Sequence, residues 1–226
     1  MTEKRHALIH GDSLAFLRDR IPDNYFDALV CDPPAGIAFM GRAWDQSHGG
    51  REGWVEAFAA VFREALRTMK PGAHGVVWAL PRTSHWTACA LEDAGFEVRD
   101  VVTHIYGTGF PKSLDVSKAL DKAAGAEREV VGRHPLPATP RAGTFNASFG
   151  PATITAPATE AARAWDGWGT ALKPGSEHWI LVRKPLDGTV AANCLKWGTG
   201  GLNIDACRLE TAERLGRYVV QRERAY

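Results

Sequence analysis

Along most of the 226-residue chain, short runs in which apolar and polar residues alternate give way to longer runs in which apolar residues recur every three or four positions. HALIHG (6–11) predicts a short strand, Asp12 or Ser13 then caps a short helix through LAFLRDR, and FDALVCD predicts a second strand. In REGWVEAFAAVFREALRTMKPG the apolar positions Trp54, Phe58, Phe62, Leu66 and Met69 keep helical spacing until Lys70-Pro71-Gly72 stops the pattern, which predicts an amphipathic helix. AHGVVWAL predicts a strand, SHWTACALEDAG a helix with a glycine stop, and FEVRDVVTHIYG a further strand. This βαβαβ rhythm implies an α/β fold, a mostly parallel sheet clad by helices, with ligands bound at the carboxyl ends of the strands.

The rhythm then weakens. GTGFPKSLDVSKALDKAAGA predicts a helix entered through a Gly-Pro loop, and residues 133–165, rich in Pro, Ala, Thr and Gly, predict a long loop or mobile insertion. Regular structure is expected again at SEHWILVRKPL, a strand, and TVAANCLKWG, a short helix, before a charged tail. The expected organisation is therefore a core over 1–132, an insertion or target-recognition region over 133–166, and the remainder of the core with the tail over 167–226.

Composition narrows the function classes. Lys plus Arg number 27 against 26 for Asp plus Glu, so any basic surface must be local. No apolar run is long enough to cross a bilayer and the N-terminus has no signal-peptide core, so no membrane partner and a cytoplasmic location are expected. Cys31, Cys89, Cys194 and Cys207 form no C-x-x-C pair and the histidines show no paired spacing, so neither a disulfide framework nor a metal site is expected.

The chemistry is concentrated in CDPPAGIAFMGRAWD (31–45). A strand ending in Asp-Pro-Pro brings a carboxylate to the sheet edge and then locks the backbone, because proline fixes φ and restricts the residue before it. Asp32 and the carbonyls that follow become a rigid row of acceptors. An amino group bound there donates one hydrogen to Asp32 and one to a carbonyl, which frees its nitrogen lone pair to attack an electrophile. Capping of a turn is the alternative role for an Asp before Pro.

The stretch GDSLAFLRDRIPDNYFDALVCDPPAGIAFMGRAWD resembles the N-terminal half of DNA amino-methyltransferases, in which D/N/S-P-P-aromatic at a strand end follows a Gly-Asp by about twenty residues. Here these are Asp32-Pro33-Pro34-Ala35 and Gly11-Asp12. LKPGAHGVVWALPRTSHWT, FEVRDVVTHIYGTGFPKSLDVSKALDKAAGAEREVVG and GTALKPGSEHWILVRKPL look like phage and prophage members of the subgroup that begins with this motif. The resemblance implies a Rossmann-like methyltransferase sheet, S-adenosylmethionine as cofactor, double-stranded DNA with a flipped target base as partner, and methylation of adenine N6 in preference to cytosine N4. It implies catalytic roles for Asp32, Pro33, Pro34 and Ala35, and a cofactor contact for Asp12, for which helix capping is the alternative.

Two departures accompany it. Ala35 stands where the family has a base-stacking aromatic, a contact worth about 1–3 kcal/mol. Phe39 or Trp44 could supply the missing face, or both could pack as core. The family's F-x-G-x-G cofactor loop has no proper copy: IYGTGFPKS and WGTGGLNID are the nearest stretches, and Lys112 in the first suits a phosphate at a helix entrance. The chain is then either shortened, with its cofactor-binding segment lost or separately encoded, or carries a degenerate site. A non-catalytic DNA-binding relative is the competing function. Arg82, Thr83, Ser84 and His85, after a strand, are candidates for ligand binding, with Thr83 or Ser84 capping the next helix as the plainer role. Arg183 and Lys184 could reach a DNA backbone or simply be solvated.

Overall fold

The computed structural model describes residues 6–105, 113–133, 153–172 and 175–208. In chain order the elements are α1 (Ser13–Arg20), β1 (Phe26–Cys31), α2 (Arg51–Thr68), β2 (Met69–Ala79), α3 (Ser84–Asp93), β3 (Glu97–Ile105), α4 (Val116–Ala123), β4 (Val130–Arg133), β5 (Thr153–Thr155), α5 (Glu160–Ala164), β6 (Ser176–Arg183) and α6 (Val190–Trp197). They fall into two compact units, one of residues 1–103 with 178–226 and one of residues 104–177.

The first unit is built on a four-stranded sheet of order β1-β2-β6-β3. β1 and β2 are parallel, as a strand–helix–strand connection through α2 requires, with Leu29 opposite Gly75 and Cys31 opposite Val77. β6 then enters antiparallel beside β2, pairing Trp179 with Trp78 and Leu181 with Val76, so β3 is separated from β2 although it follows it in the chain. The local rhythm could not show this, because the intervening strand comes from some 75 residues further along the chain.

One face of the sheet is clad. The apolar stripe of α2 buries Trp54, Val55, Ala59 and Phe62, and these meet Ala90 and Leu91 of α3 and the inward residues Val77, Ala79, Ile180 and Val182. Leu29, Cys31 and Val98 pack against the same cluster. Burial of a large apolar side chain is worth about 1.5–3 kcal/mol, so this face anchors the unit. By strand alternation Ala28, Val30, Val76, Trp78, Trp179 and Leu181 point to the other face, and none of them belongs to the core cluster.

Several boundaries differ from the sequence reading. Residues 6–11 form no strand, and Leu8 is fully exposed, because a strand needs a neighbour and none pairs there among the described residues. β2 begins at Met69 and runs through Lys70-Pro71-Gly72, so the proline and glycine end the helix by starting the strand. The turn is held by Asn193 of α6, whose amide donates to the carbonyls of Pro71 and Thr199 at 2.9 and 2.8 Å. Within 133–165, where irregular chain is expected, β5 pairs antiparallel with β4 and α5 follows.

In the second unit Asp121 of α4 is buried and accepts from Arg128 at 2.7 Å, from the Ala158 and Thr159 amides, and from the Thr159 hydroxyl. One carboxylate thus ties α4 to the entries of β4 and α5. No described helix is long and apolar enough to cross a membrane.

Candidate active site

β1 ends at Cys31, and Asp32 follows as an exposed residue, with Pro33 buried behind it. The exposed carboxylate therefore stands at the carboxyl end of a strand on a backbone that two prolines have stiffened. The Cys31 thiol beneath it is pushed up to about 11, by burial first and by the Asp32 charge second, and stays protonated at neutral pH. A neutral thiol is a poor nucleophile, so Cys31 is not a candidate for nucleophilic chemistry here.

The loop after the prolines is clamped from both sides. On the carbonyl side, the Thr83 hydroxyl donates to the Ala35 carbonyl at 2.9 Å. On the amide side, Asp45, 1% exposed, accepts from Gly36 at 2.9 Å, from Ile37 at 3.3 Å and from Phe39 at 2.7 Å, while its own carbonyl accepts from Ala38 at 2.6 Å. Four successive amides thus close on one residue. Ala38 is held in the left-handed region at φ 52°, a conformation that costs a residue with a Cβ about 1–2 kcal/mol. Gly36 has no alternative: its φ is +71°, and a Cβ there would lie 2.6 Å from the Trp54 ring. Trp54, fully buried and stacked on Phe58 at 4.2 Å, has no acceptor for its indole N–H among the described residues.

Beside this loop lies a cleft of about 480 Å³, lined by residues 36–38 and 46–49 with Arg82 and Trp86. Arg82 and Thr83 are therefore brought to the loop, as their position after a strand suggested. Thr83 does so by a route the sequence did not indicate, since its hydroxyl caps nothing and instead holds Ala35. Ser84 turns back to the Pro81 carbonyl at 3.2 Å.

The other predicted residues are placed as follows. Phe39 and Trp44 flank the clamp and are 44% and 61% exposed, so neither packs as core. Asp12 caps α1, accepting from the Ala15 amide at 2.8 Å. Lys112 and most of IYGTGFPKS lie outside the described residues. In WGTGGLNID, Gly198 is the left-handed C-cap of α6 and Thr199 binds the Pro71 carbonyl, so this glycine pair ends a helix. Arg183 pairs with Glu97 at 2.6 Å. Lys184 donates to Asn24 and to the Met69 carbonyl, and burial lowers its pKa. Both cations are committed to the fold. Asp45 is the site residue that the sequence reading did not single out, and only its proximity to the Asp-Pro-Pro run hinted at it; Thr83 is a candidate there, but for ligand binding or helix capping and not for holding the Ala35 carbonyl.

No family model and no curated protein matches the chain. Among solved structures, a Thermus thermophilus protein assigned as a DNA modification methylase, also solved with S-adenosyl-L-methionine, is similar at 14% identity and a TM-score of 0.41, over 77% of this chain and 51% of that one. M1.HpyAVI is similar at 13% identity and a TM-score of 0.38, over 78% and 54%, and the [4+2]-cyclase SpnF at 14% and 0.31, over 78% and 54%. The chain spans about half the length of these proteins, and likenesses this distant carry no argument about activity.

Proposed function

We propose that this chain carries the amine-binding half of an S-adenosylmethionine-dependent DNA methyltransferase acting on an exocyclic amino group, adenine N6 in preference to cytosine N4. The observation that supports it is the exposed Asp32 carboxylate at a strand end, followed by a turn clamped by Thr83 and Asp45. Asp32 accepts one amine hydrogen and a carbonyl at Pro33 or Pro34 accepts the second. The Ala35 carbonyl is already bonded to Thr83, whereas no hydrogen bond to either proline carbonyl is found among the described residues. The nitrogen lone pair is then directed away from the protein, and Asp32 offsets the positive charge that develops on nitrogen. A paired base cannot bring its amine to this corner, so the target nucleotide leaves the duplex, with Phe39 or Trp44 as its stacking face.

S-adenosylmethionine supplies the methyl group when bound. Among the described strand-to-helix connections none carries a G-x-G pair, so the described residues do not make a complete site for it. Asp12 is the residue proposed to contact it, and its capping bond to Ala15 occupies one oxygen and leaves the other able to accept.

A second reading is a split enzyme or a DNA-binding relative that no longer turns over, and one observation favours it. Among the described residues β1 is the terminal strand of its sheet, and Val30 on it is 76% exposed. A parallel strand is ordinarily covered on both faces and an unpaired edge presents backbone groups ready to bond a further strand, so a separately encoded segment carrying the cofactor loop would fit here. The test is transfer of labelled methyl to duplex DNA at millimolar cofactor. Asp32→Ala abolishes transfer and leaves the circular dichroism spectrum unchanged if Asp32 is the acceptor; wild-type transfer by the variant would sink the assignment.

A further inference from the structure

The negative charge of Asp45 lies inside the connection between β1 and α2, 1% exposed, and the bonds it makes are to backbone amides: Gly36 on one oxygen, Ile37 and Phe39 on the other. A buried carboxylate is costly unless its lone pairs are filled, and charge-assisted bonds from amides fill them. What this arrangement achieves is geometric. It holds Ala38 in a left-handed conformation that the residue would otherwise leave, presses Gly36 against Trp54, and sets the start of the turn bearing Phe39. Strain held by surrounding bonds next to a reactive group is the usual sign of preorganisation.

We propose that Asp45 is a positioning residue for the chemistry at Asp32, with Thr83 holding the opposite side of the same loop. This rests on the functional reading given above. By fixing residues 35–39, the pair fixes the proline carbonyls between the clamp and Asp32, so that both amine acceptors keep their separation before the base arrives. The residue touches neither base nor cofactor and acts through the backbone. Asparagine at this position keeps the shape but replaces one acceptor oxygen by a donor, which then faces an amide N–H and opens the loop.

The experiment compares full-length wild type, Asp45→Asn, Thr83→Val and Asp32→Ala by amide hydrogen exchange and by kcat and KM for labelled methyl transfer at millimolar S-adenosylmethionine. The amides of Gly36, Ile37 and Phe39 are protected in the wild type, and Asp45→Asn loses that protection. Its kcat per folded molecule falls about 100-fold, the cost of misplacing a reacting group by about an ångström, while KM for DNA stays within about twofold. Unprotected amides in the wild type, or a loss of rate that only follows the loss of folded protein, would overturn the proposal. If Asp45→Asn does not fold, Thr83→Val decides: a fall in kcat of about tenfold at unchanged KM supports the clamp, and an unchanged kcat overturns it. Transfer that survives Asp32→Ala would overturn the functional reading itself, whereas the amide protection tests the clamp independently.

Discussion

The two sides of β1 carry similar residues and meet different surroundings. Leu29 and Cys31 pack against the core beneath α2 and α3, and the inner edge pairs in register with β2. Ala28 and Val30 point the other way, Val30 is 76% exposed, and no strand pairs with the outer edge among the described residues. At the strand's carboxyl end the contrast sharpens, because the loop after Asp32 is held by hydrogen bonds from four amides and one hydroxyl. Beside the proposed amine acceptors, every amide from Gly36 to Phe39 and the Ala35 carbonyl are bonded. The neighbouring edge of β1 has no paired strand among the described residues. A sheet whose strands are apolar on both faces is built for cover on both, so the difference separates a tightly held loop from a sheet face and edge that the described residues leave uncovered.

The clad face should give the largest response. Phe62→Ala, which empties a fully buried position, should cost about 3–5 kcal/mol in denaturant unfolding, whereas Trp179→Ala on the opposite face should cost about 1 kcal/mol or less, the scale of one cross-strand pair. Equal losses would mean that both faces are packed alike. The thiol on the inner side offers the next contrast. A group raised to about 11 is neutral at pH 8, so Cys31 should alkylate about 100-fold more slowly than an ordinary thiol, while the exposed Cys194 and Cys207 label first in a mass-spectrometric time course.

Truncating whichever of Phe39 and Trp44 stacks on the base should weaken binding to DNA with a mispaired target by about 1–3 kcal/mol. Ala35→Tyr should then add little, because the face is already supplied; a large gain would show that face to be empty. The smallest effect is expected at the outer edge. Val30→Lys should change the stability of the isolated chain by no more than about 0.5 kcal/mol, as for an exposed site, and should block any segment that pairs with this edge.

Much of the fold was legible because its signals are local. The stripe from Trp54 to Leu66 marks α2, and the alternation in SEHWILVR marks β6. The place of β6 between β2 and β3 was not legible, since strand order is decided by partners far apart in the chain. HALIHG shows the opposite failure, a strand-like pattern that finds no neighbour among the described residues. Within the site, Asp32 could be picked out because Asp-Pro-Pro constrains its own backbone. Asp45 could not, because its role depends on the chain folding back so that one buried carboxylate meets amides six to nine residues earlier. Thr83 precedes α3 as a helix cap would, but its side chain makes no capping bond and its hydroxyl goes instead to the Ala35 carbonyl of another segment.

The most direct test of the proposed amine site, and of a cofactor site that the described residues do not complete, is calorimetric titration of S-adenosylmethionine into the purified 226-residue chain. A dissociation constant above about 100 µM is expected, less than about 5.5 kcal/mol of standard binding free energy. A low-micromolar constant would contradict it, and would mean that this chain alone holds the cofactor.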